Sequence, residues 1–68
     1  MKTVYVYSDN LSGLYYTEIE KYKIWSDNTI LDLFKNYMGV KYLPFKIFIN
    51  YDKNNIPKRY NKRKLIKF

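Results

Sequence analysis

Glu18 and Glu20 are the residues best spaced for chemistry in this chain. Two positions apart on a strand, they share one face. Two neighbouring carboxylates are the kind of donor set that holds a magnesium ion for phosphodiester cleavage, and Lys21 beside them would clamp the phosphate. An exposed strand face, or carboxylates set opposite lysines of a neighbouring strand, accounts for the pair more simply. Asp27 and Asp32 fall where the start of a helix favours negative charge. Other schemes lack their residues altogether. The 68 residues include no His and no Cys, so there is no Ser-His or Cys-His pair and no thiolate. The same absence removes the thiol and imidazole ligands of a structural zinc site. Gly13 and Gly39 are the only glycines, too few for a phosphate-cradling loop. The expectation is a protein that is not an enzyme and uses no cofactor or metal.

Recognition is better supplied than catalysis. Nine Tyr, four Phe and one Trp are more aromatic side chains than so short a chain can bury. Tyr5, Tyr7, Tyr16, Phe48 and Tyr60 fall on faces opposite the main apolar sets. Exposed beside lysines, they would form a stacking platform for unpaired bases or anchors of a protein interface. Charge placement adds a direction. Residues 1–52 hold six basic and six acidic groups, and residues 53–68 hold seven basic groups and no acid, so the whole net charge of +7 comes from the last sixteen residues. A neutral body with a basic end draws phosphate or an acidic protein surface. The contact residues expected from this reading are Lys58, Arg59, Tyr60, Lys62, Arg63, Lys64 and Lys67, together with Tyr5, Tyr7 and Phe48.

Composition bears on origin and setting. Lys, Asn, Ile, Tyr and Phe make up 38 of the 68 residues, while Ala, Gln, His and Cys are missing. Those five have A- and T-rich codons, which suggests an AT-rich genome and a phage or mobile-element type of protein. The absence of cysteine is compatible with the cytoplasm. Met1-Lys2 leads at once into a short strand rather than an apolar leader, and no apolar run is long enough to span a bilayer. The function expected is that of a small binding protein that modulates, by inhibition, a host nucleic-acid-handling protein or nucleoprotein complex. The alternative is direct, sequence-tolerant binding of single-stranded DNA or RNA through Tyr stacking and the basic segment. The basic run K-R-K-L-I-K-F could also adhere to an anionic membrane surface. Tyr- and Ile-rich strand edges leave open a monomer or a small homo-oligomer.

These residues need a scaffold, and the pattern predicts one domain over residues 1–68. Lys2 to Tyr7 alternates β-branched and aromatic residues and reads as a strand. Ser8 to Gly13 is dense in turn formers, with Gly13 available for a positive φ. Leu14 to Trp25 reads as a long second strand with a bulge near Glu20 and Lys21 that brings Tyr22 and Ile24 into phase. Ile30, Leu31, Phe34, Tyr37 and Met38 make the stripe of a helix over 28–38, capped by Ser26 or Asp27 and ended by Gly39. Phe45 to Tyr51 alternates as a third strand, expected to be central. Asp52 to Pro57 is a turn, and Arg59 to Phe68 is a fourth strand or an arm. The fold class is therefore α+β: a small antiparallel sheet of three to four strands in the order β-β-α-β-β, one helix on one face and the other face partly open.

Overall fold

The computed structural model describes residues 1–20, 25–39, 44–50 and 53–68, with backbone only at 48–50. Strand β1 spans Lys2–Tyr7 and β2 spans Gly13–Ile19. Helix α1 covers Asp27–Met38 and β3 covers Lys46–Asn50. A turn of 3-10 helix at Lys53–Asn55 leads to a single helical turn, α2, at Lys58–Asn61, and β4 closes the chain at Lys64–Lys67. The class is α+β, as the pattern predicts. The strands form one sheet in the order β3-β1-β2-β4. β1 runs antiparallel to both β2 and β3, but β4 lies parallel to β2. The sheet is mixed, which corrects the antiparallel expectation.

The connections explain the mixture. β2 and β3 both run antiparallel to β1, so they point the same way, and the chain between them crosses one sheet face through α1. β3 and β4 also point the same way, so the chain must cross a face again. It does so through Lys53–Asn61, on the side opposite α1. It covers Tyr5, Tyr7 and Leu14, while Glu18, Leu65 and Lys67 on the same face stay exposed, so that face is open in part.

Each face carries its own core because β1 is apolar on both sides. Val4, Tyr5, Val6 and Tyr7 are all buried. Val4 and Val6 join Leu11, Ile19, Ile30 and Phe34 in a cluster beneath α1. Tyr5 and Tyr7 join Leu14, Ile56 and Tyr60 beneath the second crossover. A strand buried on both faces reads as a continuous apolar run, and V-Y-V-Y is one. β3 lies instead at the sheet edge, correcting the expectation of a central position. Its apolar content is high, but Lys46 is exposed, and among the described residues β3 pairs with β1 alone.

Helix α1 follows its sequence closely. The Ser26 hydroxyl accepts from the Thr29 amide at 3.2 Å, satisfying a free first-turn donor. Gly39 sits at φ 65° and donates its amide to the Lys35 carbonyl at 2.7 Å, the left-handed stop that a Cβ would strain. Phe34 is the centre of the helix contact. Its ring meets Tyr15, Phe45 and Phe68 edge-on, with centroids 5.2, 4.7 and 5.0 Å away.

Gly13 has a different role from the one expected. Among the described residues Gly39 alone has a positive φ. Gly13 opens β2, and a Cβ there would lie 2.5 Å from Ile66 Cδ1 and 3.3 Å from the Lys64 carbonyl oxygen. Its missing side chain makes room for β4 to lie alongside. β2 ends at Ile19, so the bulge expected near Glu20 and Lys21, and the phase of Tyr22 and Ile24, fall outside the described residues.

Candidate functional site: the cationic C-terminal layer

The segment from Ile56 onward supplies the second crossover. Ile56 lies just before the turn of Lys58–Asn61 and Tyr60 lies within it, and both pack in the cluster beneath the crossover. Pro57 precedes that turn with φ −48°, a value suited to starting it. Ile56 is 2% and Tyr60 1% exposed. With the apolar side of the turn spent on the sheet, the remaining side chains point to solvent: Lys58, Arg59 and Lys62 are exposed. The chain then enters β4, where Lys64 and Lys67 are also exposed. The basic segment is thus an ordered layer and strand rather than an arm. Among the described residues, none of Lys58, Lys62, Lys64 and Lys67 has an ion-pair partner.

The two arginines are spent differently. Arg63 is half-buried, and its guanidinium Nη1 donates to the Ser8 carbonyl at 2.7 Å and also to the Leu11 carbonyl. It closes the β1–β2 loop from below, where the Leu11 amide already bonds the Ser8 carbonyl at 3.1 Å and the Asn10 amide bonds the Ser8 hydroxyl. Arg59 lies 3.6 Å from the Asp9 carboxylate. The guanidinium carbons of Arg59 and Arg63 stand 4.6 and 4.9 Å from the Tyr60 ring centroid. Tyr60 in turn packs on Tyr7 at 4.3 Å and donates its hydroxyl to Asp9 at 2.6 Å.

The expected aromatic platform is therefore corrected. Tyr5, Tyr7 and Tyr60 are 7%, 8% and 1% exposed, and Tyr16 is half-buried at 6.3 Å from Tyr5. They pack on one another under the crossover because a sheet face of tyrosines is still apolar in area, and each ring buried is worth more than one left wet. Phe48 is paired with Tyr5 in the β1–β3 register; its side chain lies outside the described residues. Arg63 likewise serves as a fastener. The signal that could have revealed this was the apolar Ile56 within the turn-rich 52–57, with Tyr60 soon after it, which a reading of 52–57 as plain turn passes over. Asp9, Ser8 and Leu11 carried no such signal, since Arg59, Tyr60 and Arg63, which they meet, lie fifty or more residues away in sequence.

The Tyr60–Asp9 bond shifts both groups. It is the main reason the Asp9 carboxyl titrates below its ordinary 3.8, with partial loss of water opposing and Arg59, Lys46 and Arg63 helping. The same bond, with desolvation, holds the Tyr60 hydroxyl above its ordinary 10.0, against the opposing charge of Arg59. A carboxylate depressed in the folded state contributes stability above pH 3.8 that is lost as pH falls through its lowered value. A phenol raised in the folded state contributes stability below pH 10.0 that is lost as pH rises through its raised value. Tyr60→Phe keeps the ring and deletes the bond. Its stability deficit against wild type should be constant from about pH 5 to about pH 9 and shrink toward both ends. Urea unfolding at about pH 3, 7 and 11 checks this; a deficit unchanged in acid would mean that Asp9 does not hold the hydroxyl in solution.

Glu18 and Glu20 are exposed, and the described residues contain no group of three or more His, Cys, Asp or Glu placed to hold a metal ion. No helix among them is long and apolar enough to cross a membrane. Comparison with protein-family models, with curated proteins and with solved structures found no match to this chain.

Proposed function

We propose that this chain is a small binding protein that does no chemistry of its own and uses its cationic C-terminal layer to engage an acidic protein surface. The observation that carries the reading is the ordered, outward display of Lys58, Arg59, Lys62, Lys64 and Lys67 on a segment with no acidic residue. A fixed array of like charges costs the fold self-repulsion and returns association rate and selectivity for an oppositely charged partner. The partner class proposed is a nucleic-acid-handling protein or complex of a host cell, which a phage-type chain of this size would modulate by occupying its surface. Burial of Tyr5, Tyr7 and Tyr60 takes three of the expected stacking side chains out of reach of a base, which weighs against direct single-strand binding.

Lys58, Lys62 and Lys64 replaced together by Ala are expected to abolish capture of the partner from nuclease-treated lysate while leaving the unfolding midpoint nearly unchanged, since exposed charges contribute little stability. Labelled single- and double-stranded oligonucleotides, read by fluorescence polarisation at about 50 and about 200 mM salt, should bind weakly at both. Tight oligonucleotide binding with a log K against log salt slope of about −3 would replace this reading with direct nucleic-acid binding.

A further inference from the structure

We propose that the outer edge of β4 takes an acidic extended segment of the partner protein as an added strand. The inference rests on the cationic-layer reading and names the chemistry of what that layer binds.

β4 is last in the sheet order, and among the described residues only β2 pairs with it. Its backbone polarity follows from one bond. The Phe68 amide donates to the Tyr16 carbonyl at 2.8 Å, so Phe68 faces β2, and alternation along the strand turns Lys64 and Ile66 the same way. The N–H and C=O groups of Leu65 and Lys67 then point away from the sheet. They are the two donors and two acceptors from which a further strand is built. Leu65 is 43% exposed and offers that strand an apolar contact on one side. Lys64 and Lys67, exposed at the two ends of β4, offer it charge.

Charge selects the occupant. A second copy of this chain would set its own β4 lysines beside Lys64 and Lys67, and like charges on adjacent strands oppose pairing. Lysine on a short edge is how sheets resist self-association. An extended segment alternating carboxylates with apolar residues meets no such penalty: with its apolar residues on the face of Leu65, its carboxylates fall on the opposite face beside Lys64, and the long stem of Lys67, at the end of β4, reaches a carboxylate at the end of the segment. Affinity comes from main-chain bonds and selectivity from the lysines.

The test titrates isotopically labelled protein with an end-blocked Glu-Val octapeptide and with its Gln-Val counterpart. The Glu-Val peptide should slow amide exchange at Leu65 and Lys67 and bind about tenfold tighter than the neutral peptide. Leu65→Pro removes an outward N–H without touching a bond to β2, and should abolish binding while Ile66 and Phe68 amides stay protected. Lys64→Glu combined with Lys67→Glu, which leaves the backbone alone, should transfer the preference to a Lys-Val peptide. Acidic-peptide binding that survives Leu65→Pro but is lost on replacing Lys58 and Lys62 would overturn the edge inference and leave the cationic-layer reading standing. Failure of the acidic peptide to bind at all, with oligonucleotides binding tightly, would overturn both.

Discussion

Phe34→Ala is expected to unfold the chain at room temperature. A core of this size supplies roughly 3–5 kcal/mol in all without disulfides or metal, and truncating a buried phenylalanine costs about 3–5 kcal/mol. Phe34 is fully buried and, among the described residues, is the one side chain that meets three other rings, from β2, from the approach to β3 and from the end of β4. Removing it leaves Tyr15, Phe45 and Phe68 facing a void that a thin layer cannot close by collapse. Far-UV circular dichroism of the variant should resemble an unfolded chain. Phe34→Leu, which keeps most of the volume, should fold with a lower urea midpoint. A variant with Ala at 34 and a wild-type midpoint would mean that α1 is not held by this cluster.

Arg63→Ala is expected to cost about 2 kcal/mol, because hydrogen bonds from a charged donor are worth about 1.5–3 kcal/mol and Arg63 makes two across fifty residues of sequence. In a domain of this length that corresponds to a fall of roughly 10 °C in Tm. Arg63→Lys should recover only part of it, since a single ammonium does not reproduce the rigid fork of the guanidinium. The loss should also be local. Amide exchange should accelerate first in residues 8–11 and 56–68, which the guanidinium ties together, before it does so in α1. If melting falls no further than it does for Lys62→Ala, Arg63 belongs with the exposed cations and not with the fasteners.

These two expectations separate the basic residues that the sequence presents as one set. Arg63 is consumed in closing the β1–β2 loop, and Arg59 is shared between Asp9 and the Tyr60 ring. Lys58, Lys62, Lys64 and Lys67 keep their charge in solvent. The functional proposals therefore rest on the lysines and on the β4 edge that Lys64 and Lys67 flank, while changes at Arg63 or Tyr60 test stability first.

Local pattern determined much of this protein. Ser26, the Ile30–Phe34 stripe and Gly39 specify α1 almost to the residue, because capping and helical periodicity act within a few positions of the chain. Alternation in K-T-V-Y-V-Y specifies β1 for the same reason. The confinement of the net charge to residues 53–68 was equally legible. What tertiary structure alone decided was which elements cover which face. Tyr5, Tyr7 and Tyr60 read as exposed when one sheet face is assumed open, and become core when the β3–β4 crossover lies over them. β4 lies close alongside β2 where Gly13 leaves room for Ile66, a contact between residues 53 positions apart. Arg63 and Asp9 acquire roles only when the loop and the last helical turn meet. Long-range contacts of this kind leave little mark on local spacing. They are set by the burial of area that no single segment can cover by itself.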